Sequence, residues 1–240
     1  MNWLKRALWC WLILTAWVVA ASAQDSTLTL LGDFKKGWDR DWLVRKLPRK
    51  PTVFQVVSED TNQVLRATSS SSAAALWRML NIRTVDGGSI SWRWKIERPL
   101  SKKTAERTKL GDDYAARLYL VFEPHLVSWK THALCYVWAA KQSVGSVYTD
   151  PYGKSVKIIV LESGGEKKGK WVSEQRDFLE DYQKAFGKDP EMITAVALMV
   201  DTDNSHQEAT AWFDDIVLKL HPPKLESQNL LLRPEADPKR

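Results

Sequence analysis

The sequence predicts an all-β protein, folded as a two-sheet antiparallel β-sandwich of jelly-roll type with one short helix. Ten segments of strand character recur at intervals of ~8–20 residues. Several of them alternate strictly between apolar and polar residues, as a sheet needs when one face is buried and the other meets solvent or ligand. A single segment has the apolar spacing of a helix, and no internal repeat or linker divides the series. We therefore expect one domain, over residues 24–220.

The first 23 residues have the composition of a secretory signal peptide and stand outside that domain. Lys5 and Arg6 form a basic start, an apolar run follows over 7–21, and Ala21-Ser22-Ala23 supplies the small residues that signal peptidase requires. The run falls short of the ~20 apolar residues of a membrane-spanning helix. We expect an exported mature chain that begins at Gln24, in the periplasm or outside the cell, with membrane contact only through the segment before cleavage. An uncleaved anchor is the alternative.

The charge pattern argues against a nucleic-acid-binding protein, and the cysteine content excludes an internal disulfide in the mature chain. The formal net charge is +6, and removal of Lys5 and Arg6 leaves 33 basic against 29 acidic residues. No basic stripe with interleaved aromatic residues appears, so nucleic acid is not an expected partner. The mature chain keeps one cysteine, Cys135, which lies in an apolar run and is expected to be a buried, inert thiol.

The strands are predicted from alternation and from the turn residues between them. In chain order they cover residues 28–31, 52–57, 64–68, 73–80, 89–96, 117–123, 134–140, 156–162, 193–200 and 210–220. A short helix is the alternative for 73–80. The clearest of them is 117–123, where Leu118, Leu120 and Phe122 point to one face of the strand. Segment 89–96 alternates as well, with Trp92 and Trp94 on its apolar face. Both segments are predicted to contribute one face to the core.

The helix is predicted over residues 178–186. Phe178, Leu179, Tyr182 and Phe186 recur at helical spacing, and Gly187 is a natural stop after the last turn. Proline and mixed charges follow the last strand, so residues 221–240 are expected to be a disordered tail.

The polar faces of the strands suggest a surface that binds a ligand. If Arg93, Arg117, Tyr119, Tyr136 and Trp138 line one concave sheet, they offer stacking surfaces and guanidinium donors, the groups that bind sugars. The alternative is that both Tyr136 and Trp138 belong to the core and that Arg117 pairs with a nearby acid. With the acidic loops added, the predicted ligand-binding set is Arg93, Asp112, Asp113, Arg117, Tyr119, Trp138, Asp201 and Asp203.

The adjacent Asp112 and Asp113 allow more than one interpretation. Neighbouring side chains of an extended segment point apart, which favours a role in ordering the loop or contacting a ligand over a coupled acid–base pair. A hydrolase would need two carboxylates ~5–10 Å apart across the scissile bond. Asp113 with Glu123 or Glu162 is the candidate pair. We predict no catalytic residues and keep the hydrolase as an alternative.

Phe213-Asp-Asp-Ile-Val-Leu218 resembles the closing strand of carbohydrate-binding jelly rolls. That resemblance implies a structural calcium site, with Asp33 after the first strand as partner of Asp214 or Asp215. No other cofactor is expected, because no cluster of histidine and cysteine with zinc-ligand spacing and no phosphate-binding glycine loop appears.

Several segments together resemble the bacterial domain-of-unknown-function family 3047. The specific ones are Gly111-Asp-Asp-Tyr-Ala-Ala-Arg-Leu-Tyr-Leu-Val-Phe122 and Ala195-Val-Ala-Leu-Met-Val-Asp-Thr-Asp-Asn204, with support from Ile90-Ser-Trp-Arg-Trp-Lys95 and Ala133-Leu-Cys-Tyr-Val-Trp138. The resemblance covers roughly residues 30–220 and implies an exported protein with a jelly-roll fold. It implies no activity and no catalytic residues.

The expected function is therefore non-catalytic binding of a glycan or another polar ligand of the cell envelope. A polysaccharide hydrolase with paired carboxylates is one alternative. A periplasmic module that binds an envelope protein through an exposed apolar patch is the other. Convergence of Asp112, Asp113, Arg117, Asp201 and Asp203 in one cleft would favour a functional site at these residues.

Overall fold

The fold is described from a computed structural model that covers residues 26–38, 41–47, 50–84, 86–101, 105–123 and 131–222. The strands are β1 Thr27–Gly32, β2 Trp42–Lys46, β3 Val53–Glu59, β4 Asn62–Ser70, β5 Ala74–Arg83, β6 Gly88–Ile96, β7 Ala116–Phe122, β8 His132–Ala139, β9 Val147–Asp150, β10 Gly153–Ser163, β11 Val172–Asp177, β12 Met192–Met199 and β13 Glu208–Leu220. The helix α1 spans Phe178–Phe186, and a 3₁₀ turn spans Lys109–Gly111. The predicted signal peptide and most of the predicted tail lie outside the described residues.

The strands form two sheets, which confirms the predicted β-sandwich with one short helix. The six-stranded sheet has the order β11-β6-β13-β4-β3, and β1 pairs with the second half of β13. The seven-stranded sheet has the order β2-β5-β12-β7-β8-β10-β9. Neighbouring strands are antiparallel except for β8 and β10, which are parallel and connected through β9 at the sheet edge.

The inner faces of both sheets form the core. Along β6 every second residue is buried, as the alternation predicts. Trp92 and Trp94 project from β6 and contact Tyr136 and Trp138 of β8 in the facing sheet, with ring centroids 5.3 and 5.9 Å apart. Each large side chain buried in this way contributes about 1.5–3 kcal/mol to folding.

The helix α1 packs at one end of the sandwich. The side chain of Asp177 accepts a hydrogen bond from the backbone N–H of Glu180, which caps the first turn. Gly187 ends the helix with a φ of 71°, a left-handed conformation that glycine adopts without strain. The buried Phe178 and Tyr182 contact Phe122 at the end of β7. The predicted helix and its glycine stop are therefore present.

Three strands are additional to the ten predicted. They are β2, β9 and β11, and each lies at the edge of a sheet. Among the described residues no helix is long and apolar enough to cross a membrane.

Candidate functional site

An open groove of about 1370 Å³ runs across the outer face of the seven-stranded sheet. Its floor is built by side chains of β5, β12, β7 and β8, and its walls come from the loops that follow β12 and precede β7 and β10. The volume exceeds the ~300–1,000 Å³ of small-molecule pockets, so the groove has room for an extended ligand.

Strand register arranges the outward side chains in rows across the sheet. The first row contains Ala75, Met199, Arg117, Val137 and Val160; the second contains Trp77, Ala197, Tyr119, Cys135 and Ile158; the third contains Met79, Ala195, Val121, Ala133 and Val156. Apart from Arg117, the charged residues of the groove lie at its ends. The floor is therefore mostly apolar, with two aromatic residues, Trp77 and Tyr119, in one row.

Part of this outer face is covered. Tyr114 packs over Cys135, Val137 and Val160, and its hydroxyl lies 2.6 Å from that of Tyr148. The thiol of Cys135 is fully buried, and burial raises its pKa to about 12. The prediction of an inert thiol is consistent with this burial.

Tyr119 lines the groove and is half-buried, packed against Val121, Ala133 and Ala195. Its hydroxyl accepts a hydrogen bond of 3.1 Å from Nη1 of Arg117, two residues earlier on the same face of β7. Tyr119 thus lines the groove with its hydroxyl bonded to the Arg117 guanidinium.

Arg117 lies under the groove, with 1% of its surface exposed. Its Nε and Nη2 donate to the two carboxylate oxygens of Asp201 at 2.9 and 2.6 Å. Nη2 also donates to the backbone carbonyl of Asp112, and Nη1 donates to the Asp112 carboxylate and to Tyr119. These bonds use all five N–H donors of the guanidinium. Burial opposes the charge, but Asp112 and Asp201 outweigh it and raise the pKa of Arg117 well above its ordinary value.

This network corrects the predicted direct contact between Arg117 and a ligand. The guanidinium has no N–H left for a ligand, because its partners are the two acidic loops and the Tyr119 hydroxyl. The alternative interpretation, that Arg117 pairs with nearby acids, is the observed one. Arg117 positions the loops that form the groove wall.

Asp113 orders the loop after β12. Its carboxylate accepts hydrogen bonds from the backbone N–H groups of Asn204 and Ser205 and from the side-chain amide of Asn204. Asp201 in the same loop also accepts from the backbone N–H of Tyr114 at 3.2 Å. Burial, with repulsion from Asp113 and Asp112, raises the pKa of Asp201 above its ordinary value, while Arg117 opposes the rise. The five residues Asp112, Asp113, Arg117, Asp201 and Asp203 do converge.

Carboxylate oxygens of Asp113, Asp201 and Asp203 lie within 4.8 Å of one another. Oxygen ligands of this kind suit a hard cation such as Ca²⁺. Arg117 already neutralises Asp201, however, and loop N–H groups bind Asp113. These contacts indicate that Asp113 and Asp201 order the loops of the groove wall.

Tyr152 and Asp150 continue the acidic wall on the β9–β10 side. Tyr152 is 59% exposed, and its hydroxyl donates to the backbone carbonyl of Lys109 at 3.1 Å. The Asp150 carboxylate accepts from the backbone N–H of Tyr152 at 2.7 Å. Burial and the nearby Asp112 and Asp203 raise the pKa of the Tyr152 hydroxyl, so it stays a neutral phenol.

The opposite end of the groove is closed by a buried network around Glu123. This residue follows β7 with a left-handed φ of 69°, which is unusual for a residue other than glycine. Its carboxylate accepts from the Tyr182 hydroxyl and lies 2.5 Å from Nδ1 of His132. Burial alone would raise the pKa of Glu123, but hydrogen bonds from Tyr182 and His132 lower it. The network ties α1 to the end of β7.

The candidate hydrolase pair of Asp113 with Glu123 is not formed. Asp113 lies beside the Arg117 end of β7, whereas Glu123 lies six residues further along, a distance of about 20 Å for a strand. A glycosidase pair needs ~5–10 Å. Glu162, the other candidate partner, forms an ion pair with Lys167 at 2.5 Å.

Trp138 and Arg93 lie outside the groove, contrary to prediction. Trp138 is 1% exposed, and its indole N–H donates to the carbonyl of Gly164. It pairs with Ala116 on β7, so it shares the core face and not the face of Arg117. Arg93 belongs to β6 of the other sheet, where its guanidinium pairs with Asp214 and packs over Trp171.

The predicted calcium ligands have other partners in the structure. The buried Asp214 carboxylate accepts from Arg93 and, at 2.7 Å, from the side-chain amide of Asn62. The Asp33 carboxylate accepts from the backbone N–H of Lys35. The calcium site stays a prediction, although Arg93 already supplies a cation to one of its two ligands.

Two aromatic residues of the groove, Trp77 and Tyr152, are absent from the predicted set. Alternation in 73–80 places Ala75, Trp77 and Met79 on one face, so the pattern contains the signal for Trp77. The sequence does not show that β5 pairs with β12, and this pairing places Trp77 on the outer face of the seven-stranded sheet. Tyr152 lies in the turn before β10, where no alternation exists.

One family model matches most of this chain. A family model described as "Protein of unknown function (DUF3047)" matches residues 40–217. The chain belongs to the DUF3047 family. This confirms the resemblance stated from the sequence, and the two acidic segments that carried it are the ones joined by Arg117. A search of curated proteins finds no match to this DUF3047 chain.

Solved structures with a similar course of the chain include three bacterial proteins. A family 11 carbohydrate-binding module from Clostridium thermocellum, in complex with a β-1,3-1,4-mixed-linked tetrasaccharide, is 11% identical with a TM-score of 0.41, over 80% of this chain and 94% of that one. The family 11 module of the cellulase Lic26A-Cel5E of the same organism gives 11% and 0.43, over 81% and 95%. The K3 adhesin domain of Lys-gingipain from Porphyromonas gingivalis gives 15% and 0.42, over 80% and 99%. TM-scores this low support no inference about the function of this chain.

Proposed function

We propose that this DUF3047 protein is an exported, non-catalytic module that binds an extended glycan in the groove of the seven-stranded sheet. The observation that carries the proposal is the placement of Trp77 and Tyr119 in one row of an open groove, with Tyr152 on its wall. The C–H faces of sugar rings stack on aromatic rings, and their hydroxyls bond to polar groups at the edge.

The dimensions support an oligosaccharide over a small metabolite. Trp77 and Tyr119 lie two strands apart, which is about 9.6 Å. Tyr152 lies beyond the next strands, at the β10 end. A ligand that contacts all three must extend across several strands. Export rests on the predicted signal peptide over residues 1–23, which brings the module to the compartment where such polymers occur.

Binding to soluble polysaccharides and oligosaccharides tests the proposal, with affinity electrophoresis as a screen and calorimetry for the hits. We expect Trp77→Ala and Tyr152→Ala each to weaken binding at least about 5-fold, because loss of one stacking ring costs roughly 1 kcal/mol. The matched control is Trp212→Ala, a tryptophan on the outer face of the other sheet that packs against Lys95. Binding that Trp212→Ala weakens and Trp77→Ala leaves intact would contradict the groove as the site.

A further inference from the structure

We infer that one edge of the sandwich binds the surface of a membrane that contains anionic phospholipid. This edge is formed where β2, an edge strand of the seven-stranded sheet, comes close to the start of β3, an edge strand of the six-stranded sheet. We call it the basic edge and define it as residues 33–53. Membrane binding there is a property separate from the proposed glycan binding.

The basic edge carries the whole excess of positive charge that the mature chain has. Residues 33–53 contain seven basic and three acidic residues, an excess of four. The chain from Gln24 contains 33 basic and 29 acidic residues, which is also an excess of four, so the remainder of it is neutral. Asp39, Arg40 and Arg49 lie outside the described residues. The five described basic residues of the edge are all exposed: Lys35, Lys36, Arg45, Lys46 and Lys50.

These five cations are available to a partner. Among the described residues none of the five forms an ion pair, and the Arg45 guanidinium lies over the Trp77 ring, 5.2 Å from its centroid. The carboxylate of Asp41, which belongs to the same edge, pairs with Arg78. Lysines on edge strands also prevent sheets from pairing with one another, and that role would explain the charge alone. It does not explain the apolar residues beside the charges.

Large apolar side chains lie exposed between the cations. Of the 12 exposed large hydrophobic residues in the described part of the chain, five fall within residues 38–53. They are Trp38, Leu43, Val44, Leu47 and Val53, with exposed fractions between 38% and 62%. Exposed apolar side chains on an edge strand favour the pairing that the lysines would prevent. Apolar and basic residues on one surface are instead typical of proteins that bind at a membrane interface.

Main-chain contacts hold two of the basic residues near one another. Lys46 pairs with Ala74 in the ladder between β2 and β5. The carbonyl of Lys50 accepts a hydrogen bond of 2.9 Å from the N–H of Ala73, the residue before Ala74. Lys46 and Lys50 thus lie beside the same two alanines, and their charges add in the potential that they present to a surface.

A ring contact connects the other part of the edge to β3. The Trp38 ring, from the segment before β2, lies 6.4 Å from the ring of Phe54 on β3. The exposed Val53 precedes Phe54, and the exposed Lys36 lies two residues before Trp38. The patch therefore combines apolar and basic side chains from the edges of both sheets.

An anionic lipid surface fits this patch better than two other partners do. A second copy of the chain would bring the same excess of positive charge to a symmetric contact. A soluble polyanion would pair with the cations and leave the apolar side chains in water. At an anionic bilayer the headgroups attract lysine and arginine, tryptophan lies at headgroup level, and leucine and valine reach the acyl boundary. This contact is additional to the one expected of the signal segment.

Vesicle flotation with the purified chain from Gln24 tests membrane binding. The vesicles consist of phosphatidylcholine alone or with about 40% phosphatidylglycerol, which supplies the negative surface potential. At low salt we expect the partition coefficient to be at least about 30-fold larger for the vesicles with phosphatidylglycerol, because each lysine or arginine near the surface contributes about 5-fold. Salt at about 0.5 M should remove most of this advantage, since it screens the charges.

One pair of substitutions tests the charges. Lys46→Gln with Lys50→Gln should reduce the partition coefficient about 25-fold, the product of two such contributions. The matched control is Lys168→Gln with Lys170→Gln, which removes the same charge from exposed residues of the segment before β11. Because β11 lies at the edge of the six-stranded sheet opposite to β3, we expect the control to change the coefficient less than about 2-fold.

A second pair tests the apolar side chains. Leu43→Thr with Val53→Thr should reduce the partition coefficient at least about 5-fold, because threonine loses apolar area that the membrane would bury. Threonine keeps the preference for a strand. The matched control is Val147→Thr, because Val147 is 53% exposed, as Val53 is, and lies on β9 at the edge of the seven-stranded sheet opposite to β2.

Three results would overturn membrane binding by the basic edge. The first is failure to bind the vesicles with phosphatidylglycerol. The second is equal loss for the two lysine pairs, which would show attraction by net charge alone. The third is binding that Leu43→Thr with Val53→Thr leaves unchanged, which would assign the edge to soluble polyanions. Urea denaturation checks that each variant folds, and the single substitutions replace any pair that does not.

Discussion

The contribution of the Arg117 network to the free energy of unfolding depends on its burial. Removing one partner of a buried ion pair leaves the other charge without compensation, which costs about 3–5 kcal/mol. Arg117→Met keeps much of the side-chain volume and leaves the buried Asp201 carboxylate with one donor among the described residues, the backbone N–H of Tyr114. We expect this variant to lose about 3–5 kcal/mol in urea denaturation.

A double-mutant cycle separates the pair from general packing. Asp201→Asn alone should also be destabilising, and Arg117→Met with Asp201→Asn should cost less than the sum of the two single variants, because the unpaired charge is gone. Additive effects, or a loss below 1 kcal/mol for Arg117→Met, would show that the network contributes little to stability.

At the scale of residues, the sequence identifies the members of the Arg117 network as candidates, but it does not show that they bond to one another. Arg117 is predicted to bind a ligand because it offers guanidinium donors on a polar strand face, and Asp112 and Asp201 because they lie in acidic loops. Trp138 was placed wrongly because alternation shows that residues of one strand share a face, but not which face of the neighbouring strand they join. That assignment depends on register, and Trp138 pairs with Ala116 and not with Arg117.

At the scale of elements, most of the ten predicted strands have a buried face, although β1 is largely exposed and β3 has one buried residue. The three missed strands, β2, β9 and β11, lie at sheet edges, where a strand pairs on one side only. Their residues are largely half-buried or exposed, so no apolar alternation marks them. The sequence 172–177 reads as a polar connection to the helix, although tertiary pairing with β6 makes it a strand.

The cap of α1 yields a prediction for this element. Asp177 accepts from the N–H of Glu180 at 2.9 Å, and α1 carries the Tyr182 hydroxyl that bonds to Glu123. Asp177→Ala should cost about 0.5–2 kcal/mol of stability, because one N–H at the helix start loses its acceptor. Thermal and urea unfolding measure this loss. Asp177→Asn, which keeps an acceptor, is the matched control and should stay within a few tenths of a kcal/mol of the parent protein. Equal losses for the two variants would exclude capping as the cause.

At the scale of the whole molecule, the two sheets meet through acidic side chains at one edge of the sandwich. Glu174 belongs to β11 of the six-stranded sheet, and Glu162 belongs to β10 of the seven-stranded sheet. Burial and repulsion from Glu162 raise the pKa of Glu174 to about 7, while a hydrogen bond from Trp94 and the charge of Lys167 oppose the rise. The sheet junction therefore depends on pH.

The sign of this dependence follows from proton binding. The folded protein holds the Glu174 proton up to about pH 7, whereas the unfolded chain releases it near pH 4.5. Between these values the folded state binds more protons, so stability falls as the pH rises. Glu174→Gln removes the titrating group and keeps an acceptor for the Trp94 indole, 3.2 Å away in the parent protein. This variant should match the parent near pH 4 and be more stable at pH 8, by on the order of 1 kcal/mol after allowance for solvent screening. Urea denaturation across this range, with the exposed Glu166→Gln as control, measures the difference. A parent protein whose stability rises over pH 5–7 by an amount that Glu174→Gln leaves unchanged would contradict a strained carboxylate at the junction.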